Sequence, residues 1–174
     1  MKKESKIKWI ITVLLLSFCL SILMSLGSNV IIPKINIYVG LVIIILFIAI
    51  SILFDMIGVA ITAAEERPFH SMASKKVKGA SHSVKFLKNS DKLASICNDV
   101  IGDVCGVVSG SAGVLVSNTL ANMLKIDLSI VVLIVTAIIA SLTITGKALG
   151  KSVAIKNSEK ITFQVGKVVS IFIK

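Results

Sequence analysis

The chain has 174 residues, 55% of them hydrophobic and only 16% charged, which is more apolar side chain than one soluble core of this length normally holds. This composition places the chain in a lipid bilayer and argues against a soluble globular domain. The formal net charge of +10 is concentrated between and beyond the apolar runs, with no interleaved aromatic and basic surface, so it speaks for topology and lipid contact and against nucleic-acid binding.

The sequence opens on a basic lead, MKKESKIK, followed by an apolar run from Trp9 to Ile32. About 20 residues suffice to cross a bilayer. The run exceeds the roughly 7 to 15 apolar residues of a signal peptide and SLGSN is a poor cleavage site, so residues 9–32 read as a transmembrane helix with Trp9 as an interfacial anchor. Gly27, Ser28, Asn29 and Pro33 predict a short turn. The second run, 35–64, is longer than a straight span requires and should tilt or project from the membrane; its one acidic residue is Asp55. Residues 65–92 form the only sizeable polar segment. Pro68 breaks the preceding helix, and the spacing of Val77, Val84 and Leu87 predicts one or two juxtamembrane helices. Lys75, Lys76 and Lys78, with Lys85, Lys88 and Lys92, would face anionic lipid, although a solvated basic loop accounts for the same charges. His70 and His82 have no carboxylate or cysteine at ligand spacing.

The third span covers about 93–116, SNTLANMLKID predicts a short connection, and the fourth span covers 126–146, with Lys147 near its exit. The basic tail, 151–174, alternates in ITFQV and then takes a helical spacing. It reads as an amphipathic segment on the membrane surface, with a strand as the alternative. Cys19, Cys97 and Cys105 all lie in apolar runs, where they imply neither disulfides nor a metal site. Lys far outnumbers Arg, of which Arg67 is the single example, and Ile is abundant. That usage suits an AT-rich bacterial genome and hence a bacterial plasma membrane. The N-terminus, segment 65–92 and the tail hold nearly all the cationic residues, so both termini and that segment are expected in the cytoplasm. The fold class is all-α: a polytopic membrane protein with four transmembrane helices and a cytoplasmic juxtamembrane helical segment, forming one membrane domain over 1–174.

The chemistry concentrates in SICNDVIGDVCGVVSGSAG, Ser95 to Gly113. Asp99 and Asp103 are four apart and share a helical face. Gly102, Gly106 and Gly110 repeat at the same interval on a neighbouring face, the small-xxx-small spacing that predicts a homodimer. Asp55 lies ten residues before Glu65 and Asp103 eleven after Lys92, placing each about 15 Å from the cytoplasmic interface. Three carboxylates at such depth must be protonated, hydrated or bound to cations. Asp55, Asn98, Asp99 and Asp103, with the hydroxyl of Ser95 or Ser109, supply oxygen atoms of the kind magnesium takes. The competing arrangement is an ion pair in which Lys147 neutralises one acid.

An apolar helix with small residues and an acid near its inner end, a basic segment containing KKVKGA, and NSDKLASICNDV entering the next helix together resemble the membrane domain of the CorB/CorC and cyclin M magnesium transport proteins. The resemblance covers roughly Ile35 to Thr145. It implies three spans starting outside, a cytoplasmic helical belt after the first, a dimer, and dehydrated magnesium held by a Ser-x-x-Glu type motif on the first helix and an Asn-rich motif on the second. Here FDMIGVA puts Asp55 at the serine position and Gly58 at the glutamate position, while Asn98 and Asp99 fall in the Asn-rich region. The implied function is transport or binding of magnesium, or cobalt, by a membrane domain without the CBS pair or CorC-type domain. The alternative is a non-transporting membrane interaction or regulatory protein whose acids serve packing. No Ser/His/Asp or Cys/His set, phosphate loop or zinc motif occurs, so an enzyme is not expected.

Overall fold

A computed structural model describes residues 3–31 and 36–172. The described residues form helices and no strand: α1 (Lys3–Ile31), α2 (Ile37–Ala63), α3 (Glu66–Ser74), α4 (Ala80–Lys88), α5 (Ser90–Ser95), a π-helical segment (Ile96–Gly102), α6 (Asp103–Leu124), α7 (Leu128–Lys156) and α8 (Ser158–Phe172). Four helices are long and apolar enough to cross a membrane: Ile7–Gly27, Ile37–Ala63, the continuous Ser90–Leu124, and Leu128–Lys156. The protein is an all-α polytopic membrane protein.

Side chains fix the helix starts. The Asn36 carboxamide oxygen accepts from the Tyr38 amide at 3.2 Å, and Asp127 accepts from the Ser129 amide at 2.8 Å, each capping donors that a first turn leaves free. Pro68 lies inside the first turn of α3, where its missing N–H costs nothing; the break itself falls at Ala64, whose backbone is extended. Lys125 closes α6 in the left-handed region at φ 56°, with its amide bonded back to Ala121.

Helices α2, α6 and α7 pack against one another as the inner bundle. Its core joins Ile44 and Ile48 of α2, Ala112 and Val116 of α6, and Ile139 of α7. Between helices in lipid there is little hydrophobic driving force, so close approach at small residues must supply the attraction. Gly113 admits the Ile139 side chain, Gly146 admits Ile52, and Gly150 admits Met56. Helix α1 lies on α6 and the π-helical segment and presents most of its apolar side chains outward. At its start the Lys92 ammonium sits 5.4 Å from the centre of the Trp9 ring, tying α1 to α5.

Helices α3, α4 and α8 form a second layer beneath the bundle. Phe69, Ala80, Ser83 and Thr162 are fully buried there. Gly166 of α8 faces Ser83 and the Gly79 carbonyl, and Gly79, at φ 92°, lies against the backbone of Lys167. The Ser83 hydroxyl is 3.3 Å from the carbonyls of both Gly79 and Thr162, so a side chain of α4 joins the two elements.

Four expectations about boundaries change. The helix α1 continues through Gly27, Ser28 and Asn29, where a turn was expected, and Pro33 lies outside the described residues. The third crossing helix extends to Leu124 instead of ending near Val116, because hydroxyls such as that of Ser117, which donates to the Gly113 carbonyl at 2.7 Å, are satisfied within the helix. The fourth runs to Lys156 instead of 146, since Gly146, Gly150 and Ala154 give it a packing face beyond the apolar stretch. The tail is neither a strand nor a separate surface segment: residues 151–156 extend α7, and α8 docks on α4 and α2.

This docking depends on the missing side chain at position 166. Gly166→Val should force its new methyls into Ser83 and the Gly79 carbonyl, costing ~1–3 kcal/mol and releasing α8. Hydrogen exchange should then accelerate in both α4 and α8 while Val168→Ala, at an exposed position of α8, changes neither; equal protection in Gly166→Val and the parent chain would show that the two helices are not held there.

Candidate cation site

The site begins with an irregularity in the third crossing helix. Over Ile96–Gly102 the backbone widens to π-helical turns, and at its end the Asp103 amide donates to the carbonyls of Asn98 and Val100. Such insertions shift the side-chain register and turn carbonyls away from the regular ladder. Here the carbonyl of Gly102 accepts a buried hydrogen bond from the Ser51 hydroxyl of α2 at 2.6 Å. Gly102 sits where three elements meet: a Cβ there would lie 3.2 Å from the Cys97 carbonyl oxygen, 3.6 Å from that of Ser51 and 3.7 Å from the Lys147 ammonium.

Asn98 points from the same segment onto α2 and occupies the space that a side chain at Gly58 would take. Its Oδ1 is buried and has no hydrogen-bond partner. An unpaired amide oxygen is costly in a low-dielectric setting. Asp99 is exposed and accepts from the Ser95 hydroxyl at 2.7 Å. Asp103 pairs with Lys147, Nζ to Oδ1 at 2.9 Å; the lysine side chain is 23% exposed and the carboxylate side chain 67%. Asp55, half-buried on α2, has Lys147, Asp103, Lys151 and Asp99 as its charged neighbours.

The structure thus brings Asp55, Asp99 and Asp103 into electrostatic range of one another, with Asn98 beside them. They do not converge as three ligands on one point: among the described residues no three His, Cys, Asp or Glu side chains form a metal cluster. Ser109 does not join the group through its hydroxyl, which is buried and donates to the Gly106 carbonyl of its own helix at 2.8 Å. Ser95 acts through Asp99. Two residues gain a role that the sequence did not assign: Ser51 as the donor to Gly102, and Gly58 as the seat of Asn98. The signal for Ser51 is its position one helical turn before Asp55 in an otherwise apolar run.

The glycine stripe divides. Gly102 is buried within the chain and is spent on the contact among α2, α7 and the π-helical segment. Gly106 and Gly110 have open space where a Cβ would be, and they line a groove of about 510 Å³ between α6 and α7 with Asp103, Thr136, Thr143 and Lys147. The three glycines therefore do not present one continuous face to a second copy.

Ser51→Ala deletes the donor to Gly102 while leaving every charge in place. Interhelical hydrogen bonds in lipid contribute about 1 kcal/mol, so melting of the purified chain in nanodiscs should fall by a few degrees without added divalent ions. An unchanged melt would remove Ser51 from the support of the π-helical segment.

Residues 41–174 match the family described as Cyclin M transmembrane N-terminal domain, a span that begins inside α2 and takes in the π-helical segment, the belt and α8. No curated protein and no solved structure matches the chain significantly. With most of its length inside that match, the chain belongs to the cyclin M (CNNM) family of transmembrane domains, which is related to magnesium and other divalent-cation transport.

Proposed function

We propose that the chain binds a divalent cation, magnesium foremost, at the polar break between α2 and the third crossing helix, as a step in moving it across the membrane. The observation that carries this reading is the Oδ1 of Asn98, buried without a partner in a patch that also holds Asp55, Asp99 and Asp103. Magnesium takes oxygen ligands and keeps several of its waters, so one or two carboxylates with an amide oxygen and hydration suffice; a cage of three acids is not required. Asn98 would supply the neutral oxygen, while Asp55 and Asp103 would supply charge from α2 and α6, with Asp99 nearer the entrance. Cobalt has the same charge but accepts nitrogen ligands more readily, which this all-oxygen set does not offer. The reaction involves no covalent step and needs no catalytic side chain.

One observation favours a second reading. The Asp103–Lys147 pair already neutralises one acid, as in a non-transporting membrane protein whose polar groups serve packing. Magnesium titration separates the two. In nanodiscs, millimolar magnesium should raise the melting temperature of the parent chain. Asp55→Asn should weaken binding by roughly tenfold, about 1.4 kcal/mol, because charge count tunes the affinity of such sites. Asp127→Asn, which preserves a capping oxygen at the far end of α7, should change little. A parent chain that gains no stability from magnesium would favour the packing reading.

Orientation follows from the same residues. Exposed Lys75, Lys76 and Lys78 lie in the α3–α4 connection, and cationic loops stay on the cytoplasmic side of a plasma membrane, where anionic headgroups attract them. Both termini would share that side, and the acids would be reached from it through the shallower Asp99. Accessibility tags before Lys3, at Ser81 and after Lys174 should all report the cytoplasm in a bacterial host. An external signal from the Ser81 tag would reverse the direction of the site.

A further inference from the structure

We propose that Lys147 is a tethered cation: its ammonium fills the place that a divalent ion would take, and the ion must displace it to bind. The inference rests on the cation-site reading above and adds a competitor built into the chain. Lys147 lies 19 residues after Leu128, the first residue of α7, about 29 Å along the helix axis at 1.5 Å per residue. That is close to the full thickness, about 30 Å, of a bilayer core, so the lysine stands near the inner edge of the span with its side chain 23% exposed and its charge paired. Its Nζ is 2.9 Å from Asp103, and Asp55 is among the acids around it. The same nitrogen lies beside Gly102, 3.7 Å from where a Cβ there would stand, at the junction of α2, α7 and the π-helical segment. The ammonium therefore occupies a place beside the Asp103 carboxylate that a divalent cation bound to that acid would take, with Asp55 as a further charged neighbour.

The geometry also supplies somewhere for it to go. Lys147 and Asp103 stand at one end of the groove between α6 and α7, which stays open along Gly106 and Gly110. A lysine head is a compact charge on a flexible four-carbon stem and can swing away while its stem remains on apolar surface. An arginine at this position would grip the carboxylate with a planar fork and yield less easily. Two consequences follow. Without divalent ions Asp103 remains neutralised and the bundle stays folded, and with them the apparent affinity is reduced by the fraction of time the ammonium holds the site. Lys147 thus sets the concentration at which the site responds.

The test uses the full chain in nanodiscs, with magnesium chloride as probe and choline chloride as the ionic-strength control. Lys147→Gln should melt lower than the parent without magnesium, and its magnesium-dependent stabilisation should reach its midpoint at a concentration on the order of tenfold lower. Lys147→Arg should keep the midpoint at or above that of the parent. Removing both partners of the 2.9 Å pair in Asp103→Asn/Lys147→Gln leaves neither of the two without its counter-charge and should preserve the fold. If the parent responds to magnesium and Lys147→Gln responds at the same concentration, the tethered cation is overturned while the cation site stands. If neither responds although the double variant melts like the parent, the cation site itself falls and takes this inference with it. Should Lys147→Gln fail to fold, the side-chain nitrogen resonance of Lys147 in the parent decides: movement on adding magnesium but not choline supports displacement, and a resonance that stays fixed at saturating magnesium overturns it.

Discussion

The distance between α2 and α7 is set by glycine. At Gly146 and Gly150 the side chains of Ile52 and Met56 enter α7, and at Gly113 the side chain of Ile139 enters α6. In lipid this close approach is where van der Waals attraction between helices comes from. It also determines everything polar nearby. Gly146 immediately precedes Lys147, and Met56 immediately follows Asp55, so the packing contact that draws α7 onto α2 fixes the acid and the lysine at neighbouring heights. A bulkier residue at either glycine would move the lysine away from both carboxylates before it altered any charge.

The π-helical segment plays a complementary part. A regular helix through Ile96–Gly102 would keep its carbonyls in its own ladder and space its side chains evenly. The widened turn turns Gly102 toward Ser51 and lays Asn98 over Gly58. Polar backbone at membrane depth is tolerated where it is enclosed by protein or lines a wet cavity, and the first condition holds here: α2 and α1 both pack on the segment. The result is a break in the helix that is structurally supported by a hydroxyl yet keeps an amide oxygen free.

The apolar runs made the crossing helices readable from the sequence, as with α2, where a run over 35–64 encloses the helix Ile37–Ala63. Boundaries near polar residues were less readable. GKALGKSVAIK looks like an exit from the membrane, but Gly146, Gly150 and Ala154 are contact residues, and contact with another helix is a tertiary property. Asp55 and Asp103 could be placed at one depth by counting from segment 65–92, and Lys147 lay near the exit of the fourth span, which is why an ion pair could be foreseen as one arrangement. Ser51 could not be foreseen so easily. Most hydroxyls in these helices bond to their own backbone, as Thr143 does to Ile139 and Ser117 to Gly113; one that donates across to another helix looks the same in the sequence. The π-helical segment left no residue signature either, because its support comes from a partner helix 51 residues away. Gly58, read as a position lacking a ligand, is in the structure the gap that lets Asn98 reach α2.

Trp9 is the chain's single tryptophan, and its ring faces the Lys92 ammonium at the foot of the helix that contains the break. Indole emission is sensitive to a nearby positive charge and to water, and this indole is placed where α1 meets the start of the third crossing helix. The protein therefore carries an intrinsic optical reporter at that joint. Any rearrangement at the polar break that slides the third helix along α1 changes the environment of one chromophore, without a label and without competing tryptophan emission from elsewhere in the chain.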